Sequence, residues 1–321
     1  MGGALCPHYR NKHSHWPDFK ALFTTSHRKA IDLPVQLMIF TEKIFPLMIL
    51  IFGENFIKRE TTYPNEKKMK QSDLSAIAEG RLLPLLSNCS DDDLDPLVSY
   101  ILSSISEEIS NTEEYKSYSP QHSKYVYNIV KEIRLMGGNS FANIFRGNGP
   151  PYDEIVRDVC EHIGIKEIPK NSAEAEQKIL VKIFEEAWEK MPTADRETFL
   201  QEMKAAGQTG RDFSAVMPIT AIMAQVGVQM SGFLMYRMAT VVANAVAKQL
   251  LGKGLTFAAN AALTRTIGVL AGPIGWIITG LWTAIDLAGP AYRVTVPCVI
   301  HIAYLRQKIL YSAIAETETT P

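Results

Sequence analysis

The chain has 321 residues, of which 46% are hydrophobic and 21% are charged, and its formal net charge is −1. This balance excludes wholesale disorder and leaves room for one large domain or two medium ones. A nucleic-acid-binding protein is disfavoured, because no basic stripe interleaves with aromatic residues. The four cysteines lie far apart and form no CxxC pair, which suits a reducing cytoplasm.

The small net charge hides a division along the chain. Residues 1–69 carry a balance of +4, residues 70–206 carry −9 and residues 207–321 carry +4. The basic C-terminal third could meet anionic lipid head groups. Alternatively, the acidic region packs on it and neutralises it, which is the simpler interpretation.

Residues 1–68 differ in character from the rest of the chain. Their potential metal ligands are Cys6, His8, His13 and His15. That spacing matches no usual zinc pattern and no second pair follows, so we expect no metal there. Orderly helical patterns begin just after Met69. We therefore expect a poorly ordered N-terminal extension, or a misplaced start upstream of Met69.

Residues 69–206 read as a soluble helical region. Apolar residues recur there with helical spacing, and alternating strand patterns are absent. In the first clear helix, Asp92 or Asp93 is the expected cap, and Pro96 then falls in the first turn. The fold class predicted for the chain is all-α, with acidic amphipathic helices packed against a C-terminal apolar region.

Two further helices in this region have clear boundaries. Pro150-Pro151 opens one, and Gly164 can close it. Another carries the apolar stripe from Ile179 to Met191, with Ser172 as its expected cap and Pro192 as its stop. The acidic faces of these helices are expected to face solvent.

A glycine-rich and proline-rich stretch before the first of these helices forms a candidate anion or corner motif. Its candidate residues are Gly138, Arg146, Gly147, Gly149 and Tyr152. Backbone N–H groups freed by glycine, followed by a helix N-terminus, could bind an anion. The Lys-Ser/Thr ending of a phosphate loop is missing, so we favour a structural corner between helices.

Residues 207–310 form an apolar region rich in glycine and alanine. Residues 213–236 and 266–285 carry no charged side chain, and each is close to the roughly 20 residues that a spanning helix needs. Gly272-Pro273 is a turn signal, however, so the second stretch is better described as a helical hairpin with short arms. Residues 311–321 are expected to form a disordered tail.

A candidate structural or interaction motif closes the apolar region. Its residues are Asp286, Tyr292, Arg293, Thr295, Pro297 and Arg306. Asp286 and Arg293 lie two helical turns apart and could form a buried pair, because lone buried charges are costly. His301 lies on an apolar stretch and is expected to be a core histidine, since no partner ligand is spaced to join it.

Two motifs resemble those of a known family, the YaaW-like family of uncharacterised bacterial proteins. The first is GGNSFANIFRGNGPPYDEIVRDV, and the second is AYRVTVP at residues 291–297, continued by IAYLR at residues 302–306. The resemblance covers roughly residues 72–310. It implies a bacterial protein and provides no catalytic residues. Some family members carry a name that suggests a ubiquinol–cytochrome c chaperone.

Two interpretations of the function follow. In the first, the apolar C-terminal helices associate with membrane lipid, peripherally on the inner membrane. In the second, those helices are buried, and the protein is a soluble interaction or chaperone-like assembly factor with a protein partner. We expect a cytoplasmic protein that needs no cofactor. An enzyme is disfavoured, because no nucleophile–base arrangement or adequate phosphate loop is present.

Overall fold

The computed structural model describes residues 70–103, 108–137, 149–205, 213–225, 228–255, 272, 274–281 and 291–317. Every regular element within these ranges is helical, which confirms the all-α class. The predicted N-terminal extension and its histidines lie outside the described residues.

The described helices fall into three groups along the chain. The first group is α1 (Gln71–Ala78), α2 (Leu82–Leu86), α3 (Asp91–Leu102), α4 (Glu108–Asn111) and α5 (Glu113–Tyr118). In the second group, a 3-10 turn (His122–Lys124) precedes α6 (Val126–Gly137), α7 (Tyr152–His162), α8 (Ser172–Lys190) and α9 (Thr193–Ala205). The C-terminal third contributes α10 (Ile219–Gln225), α11 (Val228–Leu251), the helical segment 274–281 and α12 (Tyr292–Thr317).

The N-terminus of α3 differs from the prediction. Ser90 is the cap, and its hydroxyl accepts a hydrogen bond from the Asp93 N–H at 3.2 Å. The Ser90 N–H in turn donates to the Asp93 carboxylate at 3.3 Å, which completes a capping box. The prediction of Asp92 or Asp93 as the cap was therefore wrong, because a cap at Ser90, two or three residues earlier, lets the Ser90 and Asp93 side chains each accept from the other's N–H. Pro96 consequently lies in the second turn of the helix.

The boundaries of α7 agree with the sequence. The helix starts immediately after Pro151 and is followed by Gly164, whose φ of +82° is the left-handed conformation of a helix end. The cap of α8 is displaced by one residue from the prediction. Asn171 accepts a hydrogen bond from the Ala173 N–H at 2.8 Å, so Ser172 is the first helical residue.

The core of the described structure is built around α12. Every side chain from residue 294 to residue 307 is buried, so this stretch is covered on all sides, as expected of an interior helix. It packs against α11 along one side and against α8, α3, α6, α7 and α1 on the others. Helices from the acidic region therefore cover a helix from the apolar region. None of the described helices is both long and apolar enough to cross a membrane.

The helical segment 274–281 has one buried face and one exposed face. Ile274, Ile277 and Ile278 are buried in the common core. Trp276 points away from the core and is 72% exposed. Gly272 is helical too, but most of the predicted hairpin lies outside the described residues. The segment is therefore attached to the core through isoleucines and presents a tryptophan outward.

Candidate functional site

A buried ion pair joins α12 to α8. The Arg306 and Glu176 side chains are both completely inaccessible to solvent. Arg306 Nε donates to Glu176 Oε2 at 2.7 Å, and Arg306 Nη2 donates to Glu176 Oε1 at 2.8 Å. This two-point contact matches the planar guanidinium to the carboxylate and fixes the position of both side chains.

Tyr152 brings α7 to the same carboxylate. It is the first residue of α7 and directly follows Pro151, the N-cap residue of that helix. Its hydroxyl donates to Glu176 Oε1 at 2.8 Å. Burial raises the pKa of Tyr152 well above its ordinary value, and the Glu176 charge raises it further. Tyr152 therefore remains a neutral hydrogen-bond donor at physiological pH.

The outer edge of the guanidinium binds the end of α1. Arg306 Nη1 donates to the carbonyl oxygens of Ile77 at 2.6 Å and Arg81 at 3.4 Å, and Nη2 donates to that of Gly80 at 3.3 Å. A cation is well placed at the carboxyl end of a helix, where carbonyl groups lack partners. We call Arg306, Glu176, Tyr152 and these carbonyls the Arg306 network.

The chemistry of the Arg306 network suits a structural role. Burial opposes the charge on Arg306, but Glu176 raises the pKa of the guanidinium above its usual value, so Arg306 is charged. The Glu176 carboxylate is neutralised by Arg306 and shielded from solvent, which makes it a poor general base. The network is suited to holding α1, α7, α8 and α12 together.

A second polar cluster lies at the start of α3. His301 Nε2 donates to the Asp93 carbonyl oxygen at 2.8 Å, and Lys308 Nζ lies 2.6 Å from the Asp93 carboxylate. Burial lowers the pKa of His301 to about 4, so the imidazole is neutral. His301 also contacts the Tyr100 ring edge to face. These contacts make it a core histidine, as predicted.

Three of the described ion pairs join the acidic region to the apolar region. Arg306 pairs with Glu176, and Lys308 pairs with Asp93. Lys253, which follows α11, lies 3.1 Å from a carboxylate oxygen of Asp95. These contacts agree with the interpretation in which the acidic region neutralises the basic C-terminal third.

The predicted anion or corner motif is only partly described. Gly138, Arg146 and Gly147 lie outside the described residues, whereas Gly149 and Tyr152 are within them. The carbonyl oxygens of Gly149 and Pro150 accept hydrogen bonds from the Arg134 side chain at 3.3 and 2.9 Å. Gly149 has a φ of +68°, and a Cβ there would lie 2.3 Å from the Arg134 carbonyl oxygen. These described residues form a tightly packed corner.

The C-terminal motif is spread along α12. Tyr292 stacks on His162 with 4.3 Å between ring centroids, and the Thr295 hydroxyl donates to the Ala291 carbonyl at 3.1 Å. Pro297 is buried within the helix, and Arg293 is exposed near its start. Asp286 and its predicted pairing with Arg293 lie outside the described residues. Among the described members of the two motifs, Tyr152 and Arg306 meet in one network.

Glu176 was missed by the sequence analysis although it is the centre of the network. It lies three and four residues before Ile179 and Leu180, on the apolar stripe of α8. A carboxylate on a buried stripe needs a buried partner, and this signal could have identified it. Within the described ranges, no group of His, Cys, Asp and Glu side chains is arranged to hold a metal ion.

Comparison with known proteins defines the class to which this helical fold belongs. Residues 121–300 match the family model described as ubiquinol-cytochrome C chaperone, a range that contains Tyr152 and Glu176. The chain belongs to the UPF0174 family, as the YaaW-like motifs had indicated. No solved structure gives a significant match.

The relatives are bacterial proteins, and each aligns with this chain over 203 to 213 residues. A UPF0174 protein of Helicobacter pylori is 41% identical over 203 residues, which cover 63% of this chain and 79% of the relative. Another from that species is 38% identical over 213 residues, with 64% and 99% covered. The Escherichia coli UPF0174 protein YaaW is 29% identical over 209 residues, with 64% and 82% covered.

Proposed function

We propose that the chain is a protein-binding assembly factor of the chaperone type that contacts its partner through the segment 274–281. The observation that carries this proposal is the exposure of Trp276, which is 72% accessible on a helix whose other face is buried. Exposed tryptophans on well-anchored helices are typical centres of binding energy in protein interfaces. The partner surface is expected to be apolar, because residues 266–285 carry no charge.

Two further observations support a protein partner over a lipid. The long apolar helix α12 is already covered by protein, and its Arg306 and Lys308 are paired with acidic side chains. The matching family model is described as a ubiquinol-cytochrome C chaperone, and a chaperone acts on another protein. Under this proposal the protein works in the cytoplasm, without catalysis and without a cofactor.

The test is site-specific photo-crosslinking in a bacterial host that encodes the protein. A benzophenone amino acid replaces Trp276 in one variant and Tyr127 in a control variant. Tyr127 is a matched control, because it is also an aromatic residue and is 66% exposed, on α6. The proposal predicts a discrete crosslinked protein from position 276 that position 127 does not give. Identical crosslinks at both positions, or none at position 276, would contradict it.

Peripheral membrane association is the second candidate function. The uncharged stretch 266–285 and the exposed Trp276 favour it, because tryptophan is enriched where proteins meet the membrane–water interface. The protein would then lie on the inner membrane. Co-sedimentation with phosphatidylglycerol vesicles tests this candidate. Binding that Trp276→Ala weakens would support it, and wild-type protein that stays in the supernatant would reject it.

A further inference from the structure

The first of the described helices, α1, has few buried side chains. Among the described side chains of this eight-residue helix, Ile77 alone is buried. Its N-cap residue, Lys70, makes no side-chain capping hydrogen bond. Segments with few buried apolar contacts open locally at low free energy, well before the whole protein unfolds. We therefore expect α1 to open more easily than the core.

The polar contacts that hold α1 are made to its main chain. Arg306 binds the carbonyl oxygens of Ile77, Gly80 and Arg81, and Asn171 Nδ2 lies 3.5 Å from that of Ala78. Contacts with main-chain carbonyls do not depend on which side chains the helix carries. Any helix that ends in the same geometry can therefore supply the same acceptors to Arg306.

The rest of the Arg306 network does not depend on α1. Glu176 continues to neutralise Arg306 through its two short hydrogen bonds. The following helix, α2, is held by Leu82, Leu85 and Leu86, which are buried in the core. Gly80 lies between the loosely held and the firmly held helix with a φ of +90°. Glycine adopts this conformation without strain, and a Cβ at this position would lie 2.8 Å from the Ser172 Cβ, so the end of α1 requires a glycine.

We propose that α1 is a releasable strap over Arg306, and that the place it vacates binds the carboxyl-terminal turn of a helix from a protein partner. The partner part of this inference rests on the proposed protein-binding function. The partner helix would supply an apolar side chain at the Ile77 position and a glycine three residues later. Its free carbonyl groups and the negative end of its dipole would face the guanidinium.

Hydrogen–deuterium exchange on the full wild-type chain tests the strap. The amides of α1 should exchange at least about a hundredfold faster than those of residues 294–307, because local opening exposes α1 alone. Ile77→Ala should accelerate α1 by a further factor of about ten without changing α12. Exchange of α1 and α12 at one common rate would overturn the proposal, and this wild-type measurement stands even if the variant fails to fold.

Peptide binding tests the vacated place. A fluorescent peptide of residues 70–81 is titrated into the full-length Ile77→Ala protein, whose own strap is weakened, and binding is followed by anisotropy. Saturable binding is expected, at least about tenfold tighter than to the wild-type protein, whose site is occupied. The control peptide carries Ile77→Ala and should bind at least about tenfold more weakly. Equal binding of both peptides, or none, would overturn the proposal.

These experiments separate the strap from the proposed function. Exchange and peptide binding require no cellular partner, so their failure would remove the strap and leave the crosslinking result at position 276 untouched. Failure of that crosslinking would remove the Trp276 interface, while rapid exchange of α1 and saturable peptide binding would still establish the strap.

Discussion

Arg306 and Glu176 lie wholly inside the protein, where the charge on each depends on the other. Glu176→Gln should lower the free energy of unfolding by about 3 to 5 kcal/mol, because it leaves a buried guanidinium uncompensated. Tyr152→Phe removes one hydrogen bond to a charged group and should cost about 1.5 to 3 kcal/mol. Urea denaturation measures both. Glu189→Gln is the control on the same helix, since Glu189 is exposed. If Glu189→Gln lowered the free energy of unfolding as much as Glu176→Gln, the account would be contradicted.

Glu132 on α6 provides a pH-dependent test at the same scale. Burial raises the pKa of its carboxyl from 4.5 to about 7, and Glu108 contributes to the same rise. Around neutral pH the folded state therefore holds a proton that the unfolded state has lost. Stability from this group is fully present below about pH 4.5 and is lost as the pH rises through 7.

Glu132→Gln should remove this loss, because the amide resembles the protonated acid. The variant should be more stable than wild type by roughly 3 kcal/mol at pH 8 and close to wild type at pH 4.5. Thermal unfolding across this pH range checks the prediction. If the stabilities of the two proteins changed with pH in parallel, ionisation of Glu132 would not destabilise the fold and the prediction would be contradicted.

Residue roles could be predicted from the sequence only where a local signal existed. Tyr152 and Arg306 were identified because they lie in distinctive motifs, and His301 was assigned to the core because no ligand is spaced to join it. Glu176 carried a local signal as a carboxylate on a buried stripe, but its pairing with Tyr152 and Arg306 could not be predicted, because Glu176 is 130 residues away from Arg306 along the chain. Only the packing of α8 on α12 brings the two charges together.

At the scale of helices, the corner before α7 depends on glycine. Gly149 and Gly164 both have positive φ, but a Cβ at Gly149 would collide with the Arg134 backbone, whereas one at Gly164 would meet no atom within 4 Å. Gly164→Ala should therefore cost about 1 to 2 kcal/mol from the left-handed conformation alone. Gly149→Ala should cost at least about 1 kcal/mol more. Chemical denaturation of both variants checks this, and equal losses would contradict the close contact.

Helix boundaries were predictable where proline or glycine sets them. The start of α7 after Pro151, its end before Gly164 and the stop of α8 before Pro192 follow from the conformations these residues allow. The caps of α3 and α8 were misassigned by one to three residues. Ser90 and Asn171 compete with neighbouring polar residues as caps, and the sequence alone does not say which backbone is extended.

At the scale of the whole molecule, ion pairs between the two regions explain how a helix of the apolar tract packs against acidic helices. The acidic helices α3 and α8 lie against α12, and their carboxylates pair with Arg306 and Lys308. Burial of a helix on all sides demands such cover, because both its apolar surface and its charges must be satisfied. The choice between protein and lipid as the cover was open in the sequence, since the same small apolar residues suit both.

Hydrogen–deuterium exchange of the full chain, with and without vesicles of phosphatidylglycerol and phosphatidylethanolamine, tests most directly whether protein covers the apolar helices. The account predicts that amides of residues 294–307 are among the slowest to exchange and that vesicles leave their rates unchanged. Rapid exchange of these amides in solution, with protection appearing only when vesicles are added, would contradict it.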